Sequence, residues 1–428
     1  MTDIYVSSAE ELNTALAAAS AGQHILLEAG EYDDIALWYG LGIDLDLEGV
    51  TLASADPDAP AVIHNFEAKG VSNLTIENVV FDYDAVAGQT PFKRPFEFSD
   101  CVNITLDGIT FDGDLAHDVS VEADGYATGI GLSVRGCTGF TLTDSVFETF
   151  MIGASFGNSV GVTILNNDLS GMRVDGLTFT KMQDVLIAGN TIHDFARNLS
   201  AGDHSDMIQF WTNGNTEAMS NISIIGNTLD MGSGDHTQGI FIGNEALDQG
   251  YGTEMFYQSL MIAGNSLING HLNGIYVGGA NDLSILGNTL VNPDPLAETT
   301  DLPRIRVDQV STDVTISGNV ATDIWGYKDQ SDWLLTGNLT TLLTAGKAAE
   351  FVSSDATVCR RFAPGELGDS FDFTQARPAP PTGTSEFGAS GDGMYATGQS
   401  GSLENPPTEL TDFTGTELNL FGPALEFM

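Results

Sequence analysis

One four-residue phrase, polar then apolar then polar then apolar, recurs along most of the chain. It is Asn73-Leu74-Thr75-Ile76, then Asn103-Ile104-Thr105-Leu106, Gly139-Phe140-Thr141-Leu142, Gly161-Val162-Thr163-Ile164, Asp184-Val185-Leu186-Ile187, Asn221-Ile222-Ser223-Ile224, Ser259-Leu260-Met261-Ile262, Asp282-Leu283-Ser284-Ile285 and Asp313-Val314-Thr315-Ile316. A period of two predicts a strand with one face buried. From Thr141 onward the third members stand 22, 23, 37, 38, 23 and 31 residues apart. That spacing fits a coil of about 23 residues, lengthened by insertions in three coils. Short strands and turns at this period predict a solenoid, because one coil cannot bury its apolar face without its neighbours. Leucine-rich repeats share the period, but their Leu-x-x-Leu-x-Leu frame is absent.

Four residues after the third member stand Asn167, Asn190, Asn227, Asn265, Asn288 and Asn319, usually behind a glycine. Stacked Asn side chains bond from coil to coil and tolerate a left-handed backbone, so this column predicts an asparagine ladder at a turn. Cys101 and Cys137 share another position, which predicts stacked buried thiols; with Cys359 they are too few for a disulfide framework.

A second strand precedes each phrase in a common register: Asp175-Gly176-Leu177-Thr178-Phe179, Asp206-Met207-Ile208-Gln209-Phe210, Gln238-Gly239-Ile240-Phe241-Ile242, Asn273-Gly274-Ile275-Tyr276-Val277 and Arg304-Ile305-Arg306-Val307. With Leu177, Ile208, Ile240 and Ile275 inside, Thr178, Gln209, Phe241 and Tyr276 face out. Two places before the strands stand Arg173, His204, His236 and His271, a predicted column of bases at about 4.8 Å per coil. Insertions between Asn190 and Ile208 and between Ile240 and Met261 predict loops that wall this strip into a groove.

The ends read differently. Ser7 to Glu11 forms a capping box for a short helix with Leu12 and Leu16 on one face, and His24 to Leu27 reads as the first strand. The rhythm stops after Asn338, and residues 345–428 hold half of the chain's 14 prolines. The expected organisation is a cap over 1–30, a parallel β-helix over 31–344, and an irregular extension over 345–428 that caps, oligomerises or attaches.

Charge narrows the partners. Asp and Glu total 59 against 14 Lys and Arg, a net charge of −45, which repels nucleic acid and anionic membranes. No run of 18 apolar residues predicts membrane insertion, and no basic-then-apolar leader opens the sequence.

The cap helix, the Gly-Asn coils and the segment Asp203-His204-Ser205-Asp206-Met207-Ile208-Gln209-Phe210-Trp211 together resemble the pectate-lyase-like superfamily of right-handed β-helices, over roughly residues 5 to 340. The resemblance implies an all-β, single-stranded right-handed parallel β-helix. That superfamily includes polysaccharide lyases, uronan epimerases, glycoside hydrolases and phage tailspikes, so the implied partner is a polysaccharide, of a capsule or cell surface. Neither the Tyr-Gly-Phe-Asp-Pro-His motif of alginate epimerases nor a Gly-Gly-x-Gly-x-Asp calcium repeat is present.

Three chemistries remain open. For β-elimination a base and a proton donor are needed, roles His204 and Tyr276 can fill, while Arg304, Arg306, Gln209 or Asn273 holds a carboxylate and Ca²⁺ on Asp203 and Asp206 is the metal site on offer. For hydrolysis, Asp175 and Asp206 are the paired carboxyls. For binding alone, Trp211, Phe241 and Tyr276 stack on sugars while Arg173, His236, Gln238, His271 and Asn273 bond hydroxyls. The favoured expectation is a spike or receptor-binding protein of a phage or phage-like particle that binds surface glycan, with cleavage left open; the alternative is a secreted lyase or glycoside hydrolase. The resemblance also implies a homotrimer on a larger particle and an extracellular or virion-surface setting.

Overall fold

The structure, a computed structural model, describes residues 3–38, 45–232, 236–292, 294, 297, 299–342, 350–352 and 359–361. Most of the expected extension, residues 345–428, lies outside the described residues.

Three stacks of parallel strands run the length of the molecule. The recurring phrases form the first, from Ile4–Val6 through Thr138–Thr143 and Gln183–Ala188 to Leu334–Thr336, with Thr141 opposite Thr163 and Leu186 opposite Ser223. The second stack contains Asp175–Thr180, Asp206–Phe210, Gln238–Ile242, Asn273–Val277, Arg304–Val307 and Ile324–Trp325, in that order. A third, of short strands, runs from Val80–Asp82 through Thr191–His193 to Leu339–Leu342. Each chain segment therefore passes three faces before pairing with the next coil, as a parallel β-helix requires. Parallel crossovers of this kind take the right-handed sense.

The alternating apolar residues fill the space between the stacks. Phe156, Phe179 and Phe210 lie face to face on successive coils, with centroids 5.2 and 4.4 Å apart. Ile242, Val277 and Val307 continue that column. At the first coil the helix Ala9–Ala18 buries Leu12 and Leu16 over the open end. Ser8 accepts from the Glu11 amide, and Glu11 reaches back to the Ser7 amide at 2.8 Å. At the other end, Glu350–Val352 and Cys359–Arg361 follow Leu339–Leu342 as antiparallel strands.

The asparagine ladder is continuous and buried. Each Asn from Asn167 to Asn319 donates its side-chain amide to the Oδ1 of the next, at 2.9 to 3.0 Å, and Asn338 ends the row. The same Oδ1 atoms accept the backbone amides of the preceding coil. The left-handed residue is the one before each ladder position: Asn166, Gly189, Gly226, Gly264, Gly287, Gly318 and Gly337 all have positive φ, and the ladder residues do not. The ladder asparagines are thus selected for their side chains, and the glycines for the bend. Cys101 and Cys137 are buried free thiols, the Cys101 amide donating to the Cys137 sulfur at 3.4 Å.

Candidate functional site

The second stack carries the expected strip. Thr178, Gln209, Phe241, Tyr276 and Arg306 stand in register on five successive coils, and Trp325 continues the column below Arg306. Simple alternation fails at one point. Met207 and Ile208 both lie in the core, so the strand turns a corner between them and Asp206 shares the outer face with Gln209. Gly176 holds the corner one coil earlier, where an added Cβ would meet the Met207 carbonyl oxygen at 2.5 Å.

A directed chain of hydrogen bonds crosses this face. Arg306 Nη1 donates to Asn273 Oδ1 at 2.6 Å. Asn273 Nδ2 donates to Gln238 Oε1, and Gln238 Nε2 to His204 Nε2. His204 Nδ1 lies 3.1 Å from the Asp206 carboxylate, which also accepts Gln209 Nε2 at 2.7 Å. A guanidinium can only donate, so Arg306 fixes which way each amide points, and the order runs from cation to anion. Asp206 is fully buried beneath these groups, and its Oδ1 has no hydrogen-bond partner among the described residues.

Aromatic rings flank the polar chain. Phe241 and Tyr276 stack at 4.9 Å and 22°, with the edge of His204 6.1 Å from Phe241. Arg306 lies 5.5 Å from the Tyr276 ring and 5.3 Å from that of Trp325, over which Arg304 sits at 4.3 Å. Trp325 is 41% exposed and hydrogen-bonded to Asp323, so its ring is both fixed and accessible.

Insertions flank both ends of these strands. Residues 194–205 precede the Asp206 strand and are pinned by Asn198, which caps Leu199–Ala201 and donates to the Glu122 carbonyl. Beyond the strand the helix Glu245–Asp248 is held by Glu245, which accepts the Thr212 amide at 2.7 Å. Inserted segments therefore stand before and after the Asp206 strand.

Several expected site residues have other duties. Arg173 is buried in a two-pronged bond to Asp203, at 2.8 and 3.1 Å, 5.6 Å from the Tyr126 ring. It holds the segment that precedes the Asp206 strand and is not part of the outer chain. Asp203 has both oxygens on Arg173 and also takes the Asn198 amide, so the Asp203 and Asp206 pair does not fit a Ca²⁺ ion. His236 turns to Asp301, 3.4 Å away, and His271 accepts its own strand's Asn273 amide at 3.1 Å. The column of bases is thus four separate attachments, of which only that of His204 joins the polar chain. Trp211 is half-buried just past the strand and has no ring contact with the Phe241 and Tyr276 pair.

Asp175 is also withdrawn. Its Oδ1 accepts the Asp206 amide at 3.0 Å, and burial followed by the Asp206 charge raises its pKa well above the carboxylate range. A buried carboxyl bonded to the Asp206 amide is not one of a pair flanking a glycosidic bond. Asp206 pulls His204 up to about 9, burial pushes His271 down to about 4, and burial raises Tyr276. Tyr276 is a proton donor rather than a base at neutral pH, whereas at His204 the Asp206 charge favours the imidazolium against the Gln238 amide, whose bond needs Nε2 unprotonated. Trp325 is a candidate site residue that the repeat pattern does not reveal, because its strand, Ile324–Trp325, is two residues long and follows a shortened coil.

Comparison with known proteins agrees on the fold. The family described as right handed beta helix region matches residues 128–290. No curated protein sequence matches the chain. Among solved structures, the Dettilon tailspike protein is 15% identical with a TM-score of 0.52, over 78% of this chain and 65% of that one, so the chain spans less than two thirds of that tailspike. PfbA, a surface adhesin of Streptococcus pneumoniae, is 12% identical over 85% of this chain and all of that one, with a TM-score of 0.49. The periplasmic alginate epimerase AlgG is 14% identical over 76% and 73%, with a TM-score of 0.37. The chain folds as a right-handed parallel β-helix, and its residues 128–290 match the family model of that description.

Proposed function

We propose that this chain recognises an extended polysaccharide laid across its coils, in the groove between the Asp206 and Trp325 ends of the second stack. The observation that carries the reading is the continuous outer chain from Arg306 through Asn273, Gln238 and His204 to Asp206, edged by Phe241, Tyr276 and Trp325. Six strands at about 4.8 Å give a strip roughly 24 Å long. Stacking rings beside fixed amides and a guanidinium suit sugar faces and hydroxyls. The setting we infer is extracellular or on a particle surface, as a spike or adhesin, with trimer formation part of the same proposal.

A second reading, a lyase, is favoured by one observation: His204, whose proton affinity Asp206 raises and whose Nε2 can carry a proton once Gln238 turns over, shares one outer chain with the guanidinium of Arg306. Such a pair can protonate a leaving oxygen and hold a uronate carboxylate. Hydrolysis through Asp175 and Asp206 loses support because Asp175 is sealed.

The test is to incubate the full chain with a panel of acidic and neutral bacterial and algal polysaccharides, following binding, new reducing ends and the ultraviolet absorbance of unsaturated uronates. Binding without either product signal supports recognition alone. Both product signals together establish the lyase. A chain that retains none of the polysaccharides, or binds them equally after Arg306→Ala and Trp325→Ala, overturns the groove reading.

A further inference from the structure

Away from the second stack's strip two histidines sit among carboxylates, His64 in the N-terminal coils and His193 in the middle of the third stack. His193 has both ring nitrogens on acceptor-only groups: Nδ1 is 2.6 Å from Asp194 and Nε2 is 2.8 Å from Asp168. Two carboxylate acceptors require two N–H donors, so His193 is an imidazolium and its surroundings are complete. His64 Nε2 donates to Glu31 at 2.8 Å and its Nδ1 donates to the Asp82 carbonyl at 3.2 Å, so both nitrogens carry protons and a metal ion would take the place of the Nδ1 proton. Beyond that carbonyl, Nδ1 faces the carboxylates of Asp82 and Asp84, each at 3.7 Å.

Those two carboxylates stand too far from Nδ1 for a hydrogen bond. They stand close to the spacing of two ligands sharing one ion, because donors about 2.0–2.2 Å from a metal lie roughly 3.0–3.6 Å from each other. The ligand atoms of His64, Asp82 and Asp84 all fall within 4.8 Å of one another. Asp84 is exposed and free to turn inward by the remaining tenths of an ångström. Glu31 occupies the position from which a carboxylate orients a metal-binding imidazole.

We propose that His64, Asp82 and Asp84 bind one divalent first-row transition-metal ion, with Glu31 orienting the imidazole. One nitrogen with two carboxylates suits Zn²⁺ or Mn²⁺, whereas Ca²⁺ and Mg²⁺ prefer oxygen alone. The site joins three coils, through Glu31–Leu37, Val62–Lys69 and Val80–Asp82. The ion therefore clips together the N-terminal coils, where the acidic column Asp82, Asp112 and Glu148 runs in register.

The experiment uses the full chain, stripped with a chelator and titrated separately with Zn²⁺, Mn²⁺, Ca²⁺ and Mg²⁺ by equilibrium dialysis, with cobalt absorbance as a spectroscopic report. Wild type should retain one Zn²⁺ or Mn²⁺ per chain. His64→Ala should lose it, His193→Ala should keep it, and Glu31→Gln should weaken it roughly 10–100-fold. Circular dichroism and polysaccharide retention verify that each variant is folded, and His64→Gln repeats the test where His64→Ala is not. Equal binding by wild type and His64→Ala overturns the proposal. So does a wild type that retains no ion at about 1 mM, or that takes Ca²⁺ as tightly as Zn²⁺.

Discussion

Two hydrogen-bonded ladders cross the coils of this molecule, one inside and one outside. The inner ladder repeats a single residue from Asn167 to Asn338, each buried and each fully bonded. The outer one uses a different residue at every step, runs from a guanidinium to a carboxylate, and leaves Asp206 Oδ1 without a partner. A solenoid gains stability when the same contact recurs, since each coil then satisfies the next. Variety at equivalent positions gains nothing for the fold. Where the outer column departs from repetition, the fold does not select its side chains, and the proposed groove is what does.

The largest expected effect tests where the outer ladder stops. Arg173 stands in its column by sequence but belongs with the structural interior by its buried bond to Asp203. Arg173→Ala should cost roughly 3–5 kcal/mol, because it leaves a buried carboxylate unpaired. A shift in the urea midpoint measures it; a loss of under about 1 kcal/mol would return Arg173 to the groove.

Next comes the inner ladder itself. Asn227→Ala removes the acceptor of the Asn190 amide and the donor to the Ile187 carbonyl. At about 1–3 kcal/mol for each stranded group, roughly 3 kcal/mol should be lost. Polysaccharide binding by the folded fraction should be unchanged. Trp325→Ala should do the reverse. Its ring is partly exposed, so stability should move by no more than about 0.5 kcal/mol, while retention of the bound polysaccharide should fall about tenfold, some 1.4 kcal/mol. If both variants lose stability and neither loses binding, the two ladders do not differ in kind.

Asp175→Asn separates the two in another way. Burial raises the Asp175 pKa, so the group stabilises the fold fully below its ordinary value of 3.8 and loses that contribution as pH rises through its folded value. The amide has no proton to lose and still offers an oxygen to the Asp206 amide. Stability at neutral and alkaline pH should therefore hold or rise. Any reducing-end activity abolished by this substitution would instead make Asp175 a catalytic carboxyl.

The inner ladder was the more legible of the two. Its spacing and Gly-Asn pairs are visible because repetition is a sequence property, and the register of Asp175, Asp206, Gln238 and Asn273 came with it. What repetition could not reveal was direction. Arg173, His204, His236 and His271 share a column, yet Asp203, Asp206, Asp301 and a backbone amide draw them apart. Two of those partners, Asp203 and Asp301, come from segments outside the periodic strands. The corner at Met207, which carries Asp206 outward, likewise breaks the alternation on which the reading of faces depended.

The smallest effect concerns the order within the outer ladder. Asp206 draws His204 from 6.5 up to about 9, so the charged form stabilises the fold fully below about 6.5 and this contribution fades as pH rises through about 9. Gln238 donates into the Nε2 atom that a second proton would occupy, and Gln238 is held that way by Asn273 and Arg306. Protonation of His204 therefore requires both amides to turn over, and Arg306 to give up its acceptor. The carboxylate and the amide order oppose each other across one imidazole. Asn273→Ala cuts the relay while leaving the Arg306 charge in place, so His204 should titrate higher in that variant, by NMR of its ring carbons, than in wild type. Equal titration midpoints would show that Asp206 alone governs His204, and that the groove's two ends are independent.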